Sequence, residues 1–416
     1  MKKARHFIVL IALTLPYCLA AQNIGYAEKM ARAIMQKYPD SIVVKKMANH
    51  LLQDNQLKPG ENADLINQTR PANWNYETGV LLMGFDRLWK ATGNKRYFQY
   101  LQHITDKFIT DDGNIRTFDI GEYNADYIPM GRQLISIYQT THIEKYQKAA
   151  ALLRKQIAWQ PRNQSGGFWH KLKYPTQMWL DGLYMVEPFY AAYSNMTGQA
   201  QYFDDIVFQF SLMEKVALDK KTGLLFHGWD ESKMQQWANP VTGQSPEFWS
   251  RAMGWYMMGL VDVLDELPKN HIGRNTLTAI LNRLTKTIIA YQDADAGVWW
   301  QITNKAGQKG NYLESSASAM FVYSIAKGIR LGYLPQSYTN TIRKAMNGLI
   351  SKFVETDQNG QPHYTQAVSG AGLGGNPYRD GSYAYYISEP TRTDDLKAIG
   401  PFMQACIEAD HLMNKF

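Results

Sequence analysis

The sequence predicts an all-α protein, an (α/α)6 toroid or six-hairpin barrel, and three observations carry that prediction. Apolar residues recur at spacings of three and four along nearly the whole chain, while alternating strands are scarce. A short motif repeats: "ATGNKRYFQY" from Ala91 and "MTGQAQYFDD" from Met196 share T-G-x-x-x-Y-F, a glycine helix stop followed by a new helix. Helices also alternate in character. Segments such as "ETGVLLMGFDRLWKATG" and "RAMGWYMMGLVDVLDEL" are apolar and rich in small residues, whereas "EKYQKAAALLRKQIAW" and "YTNTIRKAMNGLISKF" carry cations on one side. The first kind should be inner and the second outer.

In chain order, the 416 residues open with a basic start (Lys2, Lys3, Arg5), an apolar run from Phe7 to Leu15, and small residues at Ala20 and Ala21. That pattern is a secretory leader over residues 1–20, followed by a single catalytic domain over 21–416 that is exported, periplasmic or secreted. Bulky Tyr17 before Cys18 argues against a lipoprotein site, so cleavage is expected near Ala20. No later stretch approaches the roughly 20 apolar residues of a membrane span. With Cys18 removed, Cys406 remains alone in an apolar run, and no internal disulfide is expected. The formal charge of +7 falls to +4 without the three leader cations. There is no basic run, so nucleic-acid binding lacks support, while an acidic ligand would not be repelled.

Inner helices are expected to start near Asn75, Asp126, Asp181, Trp249, Glu314 and Asp394, which makes six hairpins. In such a ring all inner helices point the same way. Their N-termini converge at one mouth, where helix dipoles favour anions. Polar residues cluster at those starts: Trp74, Tyr76, Asp126, Asp181, Trp249, Arg251, Ser315 and Asp394. Two readings of Asp181 stand side by side. It is an N-cap before an apolar run, or a member of a shared site at the mouth.

Other chemistry finds little footing. "GAGLGG", Gly370 to Gly375, matches G-x-G-x-x-G, but no strand precedes it and "NPYRDG" follows instead of a helix, so a mobile loop bordering the mouth is the better reading. There is no H-E-x-x-H, no phosphate loop and no paired C-x-x-C, so no metal or cofactor is expected. The serines of "LESSASAM" suit close helix packing. His170 and His227, each in a loop before an inner helix, read as structural when taken singly. Arg251 is different, because a cation at the positive end of a helix needs an anion to meet it. Glu77, Glu187 and Glu247 read as cap, helix-face and loop residues.

Taken together, "FWHKLKYPTQMWLDGLYM", "HGWDES", "WANPVTGQSPEFWSRAMGW", "RPANWNYETG" and "ESSASAMFVYSIAKGIRLGYL" resemble the unsaturated rhamnogalacturonyl hydrolases, glycoside hydrolase family 105, from about Ala27 to the C-terminus. The related unsaturated glucuronyl hydrolases share the toroid and the two-aspartate arrangement. The resemblance implies an acidic oligosaccharide partner left by a polysaccharide lyase, whose terminal uronate carries a C4=C5 bond. Asp181 matches the acid that protonates C4 and helps activate the water that adds at C5. Asp126, in "NADYIPMG", matches the second aspartate. A neighbouring carboxylate and an apolar wall would each raise the pKa of Asp181. His170, His227, Trp249 and Arg251 match pocket positions; Arg251 takes polar or carboxylate contacts, Trp179 and Trp249 stack on sugar, and Tyr76 lines the wall. Rhamnose is the default second sugar, with ulvan, other galacturonides and glucuronate-capped glycans as alternatives. A monomer or weak oligomer is expected. Two rival readings are a toroidal glycosidase or lyase acting on saturated chains and a non-catalytic exported glycan-binding protein.

Overall fold

The computed structural model describes residues 22–42, Val44–Lys45, Thr69–Arg70 and 73–413; the expected leader lies outside the described residues. The helices are α1 Gln22–Lys37, α2 Tyr76–Thr92, α3 Lys95–Asp106, α4 Gly131–Thr141, α5 Glu144–Trp159, α6 Leu180–Thr197, α7 Phe203–Ala217, α8 Ser250–Glu266, α9 Gly273–Ala290, α10 Ser315–Arg330, α11 Thr339–Phe353, α12 Tyr383–Ser388 and α13 Leu396–Met413.

Helices α2, α4, α6, α8, α10 and α13 each pack on the next, and α13 returns to α2, so the inner ring closes. Outside it, α3, α5, α7, α9 and α11 each pack on the inner helix that precedes them in the chain. The sixth pair departs from that pattern. No described helix follows α13, and its outer partner is α1, from the opposite end of the chain. The (α/α)6 toroid is therefore closed by its first and last helices.

Burial separates the two layers as the composition predicts. Every residue of α8 from Ser250 to Leu264 is buried, and so is every residue of α10 from Ser315 to Ile329. In α3 only Tyr97, Tyr100, Leu101, Ile104 and Thr105 are. A helix apolar all round must be surrounded, whereas one striped on a single face has solvent on the other. The repeated T-G motif ends helices as expected. Gly93 (φ 70°) and Gly198 (φ 69°) take the left-handed conformation that stops α2 and α6, a region where a Cβ is penalised.

Among the inner helices, in the C-terminal halves of α2, α8 and α10 and reached by Arg132 from the start of α4, lies a buried cluster that the sequence did not announce. Asp262 of α8 accepts from Lys327 of α10 at 2.6 Å, Arg132 of α4 at 2.8 Å and the Tyr323 hydroxyl at 2.5 Å, with Arg87 of α2 at 3.7 Å. Three cations hold its carboxyl well below the usual range against the opposing effect of burial. One acid thus ties four inner helices together. Cys406 sits fully buried within α13.

Short antiparallel ribbons decorate the mouth. β1 (Val44–Lys45) pairs with β2 (Thr69–Arg70), β3 (Gln177–Trp179) with β4 (Gly228–Asp230), β5 (Val354–Thr356) with β6 (Pro362–Tyr364), and β7 (Ala367–Val368) with β8 (Thr391–Arg392). Among them, β3–β4 matters most for the site, because Trp179 opposite Gly228 brings the strand before α6 beside the residue after His227. Among the described residues, no helix is long and apolar enough to cross a membrane.

Candidate active site

Asp181 does not cap its helix. α6 starts one residue earlier, at Leu180, with Trp179 in the cap position and no side-chain cap bond. The Leu180 N–H donates instead to the His227 carbonyl at 3.0 Å, so α6 begins directly against the chain that carries His227. The Asp181 carboxylate is thereby free of a capping role, and its Oδ2 lies 3.1 Å from Nε2 of His227. The two atoms are in reach but not aligned for a formed hydrogen bond. The other ring nitrogen of His227, Nδ1, is 2.7 Å from the Tyr386 hydroxyl of α12.

Asp126 sits in a 3-10 turn, Ala125–Tyr127, five residues before α4 rather than at its start. Three contacts fix the turn. Its N–H donates to Asn124 Oδ1, the Trp74 indole donates to the Tyr127 carbonyl at 2.7 Å, and Gln156 of α5 donates to the Asn124 carbonyl. The Ala125 N–H donates to the His170 carbonyl, which pulls the loop before β3 onto the turn. Nε2 of His170 then lies 3.7 Å from Asp126 Oδ1, and the Lys171 ammonium pairs with Oδ2. Gly182, directly after Asp181, makes this packing feasible: a Cβ there would stand 3.2 Å from Nδ1 of His170.

The two acids thus each face a histidine, and His170 feels the charge of both. Burial, with help from the Lys171 cation, lowers His170 to about 4, so this imidazole is neutral at neutral pH. For Asp181 the expected rise is not what the structure gives. Burial does push its carboxyl up, but the adjacent His227, and then His170, outweigh it and hold it below the usual range in the free protein. The apolar wall acts as the sequence predicts; the flanking imidazoles oppose it.

Three further expectations change. Trp179 and Trp249 do not offer open faces for a sugar. Trp179 stacks on His170 (4.5 Å between ring centres, 20°) and Tyr174 (4.8 Å, 25°), and Trp249 lies against His227 (4.8 Å) and Tyr386 (5.9 Å, 29°). Both rings brace the histidines. Arg251 finds its anion inside the protein: Nη2 pairs with Glu314 at 3.4 Å and Nε donates to Ser316 Oγ at 2.7 Å, while Nη2 also donates to the Val368 carbonyl at 2.5 Å. Ser316, expected only to pack, is a hydrogen-bonding partner in this group. The loop Gly370–Ser382 is anchored. Leu373 is fully buried against Trp179 and Trp237, and Arg379 donates to the Gly374 and Leu373 carbonyls and to the Tyr174 hydroxyl.

Tyr76 opens α2, edge-on to Trp255; burial raises its hydroxyl well above the usual range, and Glu77 and Asp126 add to the rise. Of the glutamates set aside, Glu77 pairs with Lys397 and Glu247 with Lys305, and Glu187 is buried in α6. Sequence reasoning missed Lys171 and Tyr386. Lys171, in "FWHKLK", carries no signal beyond adjacency to His170. Tyr386 belongs to "SYAYYIS", an aromatic run whose register on α12 no motif fixes. Among the described residues, no three His, Cys, Asp or Glu side chains group as metal ligands.

A toroid with paired aspartates and histidines at its mouth belongs among the six-hairpin enzymes of carbohydrate metabolism. Residues 26–413 match Glycosyl Hydrolase Family 88, and the chain belongs to that family: it is a glycosidase. A solved glycoside hydrolase from family 105 of C. acetobutylicum is 42% identical, covering 92% of this chain and 99% of that one with a TM-score of 0.83. The unsaturated glucuronyl hydrolase of Bacillus sp. GL1, at 13% identity and a TM-score of 0.66 over 92% of this chain and 95% of its own, shares the fold. An unsaturated 3S-rhamnoglycuronyl hydrolase of Formosa agariphila is 24% identical over 176 residues, 41% of this chain and 45% of the relative.

Proposed function

We propose that the protein removes the 4,5-unsaturated uronate from the non-reducing end of lyase-generated oligosaccharides by hydrating its C4=C5 bond. One observation carries the reading: Asp181, uncommitted to its helix cap, lies in a buried position beside His227, with Asp126 and His170 across the same mouth. In this scheme Asp181 gives its proton to C4, and water adds at the C5 cation that results. The hemiketal so formed opens, releasing the second sugar and an open-chain keto sugar. An enol ether needs only a placed acid and a water for this.

The substrate supplies what the free site lacks. A uronate carboxylate arriving at the mouth brings negative charge beside Asp181, which favours its protonated form and offsets the pull of the imidazoles. Lys171 is the cation best placed to meet that carboxylate, a role assigned to Arg251 from the sequence: both are paired within the protein, but the Lys171 side chain is 14% exposed beside Asp126 and Arg251 only 1% beside Glu314. Asp126 orients the sugar.

Unsaturated galacturonyl-rhamnose, from rhamnogalacturonan, is the proposed substrate. A second reading, an unsaturated glycuronyl unit on rhamnose, draws on the name of the Formosa agariphila relative and keeps the same chemistry. The protein is further proposed to act after export, with its leader cleaved near Ala20. The test is a panel of lyase-generated oligosaccharides with saturated and unsaturated ends. The conjugated alkene absorbs ultraviolet light, so turnover bleaches unsaturated substrates and leaves saturated ones intact. Cleavage of saturated chains, or no bleaching of any substrate, overturns the reading.

A further inference from the structure

An imidazole between two partners must decide which nitrogen holds its proton. His227 and Tyr386 are both fully buried, so no bulk water settles the matter. Nδ1 of His227 is 2.7 Å from the Tyr386 hydroxyl, and Nε2 is 3.1 Å from Oδ2 of Asp181. Among the described residues, that hydroxyl has no other hydrogen-bond partner. Suppose Nδ1 carried the proton and donated to the hydroxyl. The phenolic proton would then be buried without an acceptor, at a cost of about 1–3 kcal/mol, and a bare Nε2 lone pair would face a carboxylate. The opposite arrangement gives the phenolic proton an acceptor and turns an N–H rather than a lone pair toward the carboxylate 3.1 Å away.

We propose that Tyr386 is a positioning residue: its hydroxyl donates to Nδ1, fixes His227 as the neutral Nε2–H tautomer, and so aims that N–H at Oδ2 of Asp181. The phenol is held rigidly for the task. Its ring packs on Trp249, and its carbonyl accepts from Gln301, which also takes the Trp249 indole N–H. Burial keeps the phenol protonated well beyond its ordinary range.

The chemical consequence rests on the alkene-hydration reading. With Nε2–H facing Oδ2, the transferable proton of Asp181 is placed on Oδ1. When the Oδ1–H bond breaks, the alkene electron pair forms the new C4–H bond and C5 becomes the cation. Water adds to C5 and returns its proton to Asp181. Between those events the carboxylate lies against Nε2–H, a donor that is strongest when its acceptor is charged.

The experiment uses the full chain labelled with ring-15N histidine, without substrate, at pH 7.5. His227 is assigned by the resonances lost in His227→Gln. The expected result is an unprotonated Nδ1 and a protonated Nε2. In Tyr386→Phe, which keeps the ring packing, the two tautomers mix. Its kcat falls on the order of tenfold while KM stays within about twofold and the melting curve is unchanged. A wild-type His227 protonated at Nδ1, an unchanged tautomer in the variant, or an unchanged kcat overturns the proposal. The nitrogen readout needs no substrate, so it stands or fails apart from the substrate assignment.

Discussion

Arg251 at the start of α8 and Glu314 at the cap of α10 form an ion pair in which neither side chain is more than 1% exposed. Glu314 also caps α10 by accepting from the Ser316 and Ala317 N–H groups, and it accepts from the Val368 N–H. The anion that a cation at a helix start requires is thus another inner helix's cap. Arg251→Ala leaves that carboxylate buried and uncompensated, so a loss of about 3–5 kcal/mol in stability is expected together with any loss of binding. Urea unfolding decides: an unaltered midpoint with a raised KM returns Arg251 to a pure substrate role.

Asp181→Asn separates acid chemistry from helix stability. Because Asp181 makes no cap bond, the variant should melt close to wild type while turnover drops on the order of 10²–10⁴-fold. Ultraviolet bleaching of an unsaturated disaccharide measures it. A rate near wild type would move the proton donor elsewhere, with Asp126 the next residue to replace.

Lys171→Met removes the partner of Asp126 at the rim of the mouth. The two side chains are mostly buried, 14% and 18% exposed, so some loss of stability accompanies the change and the melting curve is recorded beside the kinetics. Loss of the cation should also lower kcat/KM for the acidic sugar on the order of tenfold, with the effect shrinking as salt rises. Equal kcat/KM in variant and wild type at low salt counts against a role for Lys171.

His170 gives stability a pH dependence of fixed sign. Its folded value of about 4 lies below the unfolded value of about 6.5, so the unfolded chain binds the extra proton between them. The stabilisation is complete above that window and is lost as pH falls through it, by up to ~3 kcal/mol. Glu389, raised to about 7 by burial, acts in the opposite sense over an overlapping range. Comparing wild type with His170→Gln at each pH cancels Glu389. The gap between them should narrow from pH 7 to pH 4.5, and a constant gap would contradict the assignment.

Lys327→Met tests the buried cluster around Asp262. Removing it deprives Asp262 of its ammonium partner and Asp265 of its 2.9 Å contact, which should cost about 3–5 kcal/mol. Lys327 lies twelve residues, about 18 Å, along α10 from its start at the mouth, so kcat of the folded fraction should hold. A fall in kcat without a fall in melting temperature would contradict that separation.

Helix periodicity, the T-G stops and the inner–outer contrast are local or statistical features of the chain, so the toroid was legible before any coordinates. Asp126 and Asp181 were legible too, because helix starts in a ring must share an end, whereas His170 and His227 read singly as structural and joined the pocket only through the family resemblance. The start of α4 was misplaced, since the 3-10 turn around Asp126 is held by Trp74 and Gln156, contacts of 53 and 32 residues' separation that no local pattern encodes. The Asp181 cap reading failed for a related reason: α6 starts two residues ahead of where a cap at Asp181 would start it, with Leu180 donating to the His227 carbonyl beside the β3–β4 ribbon.

What the sequence determined by itself was a hydrophobic period and a set of polar residues at helix starts, both properties of neighbours in the chain. Tertiary structure alone decided partnership. Arg251 met Glu314 before it could meet a ligand, Trp179 and Trp249 packed on protein rings, and Tyr386 reached His227 from 159 residues away. Ring closure sets those meetings, because a charge or a hydrogen-bonding atom buried by it must be satisfied by whatever the neighbouring helix presents.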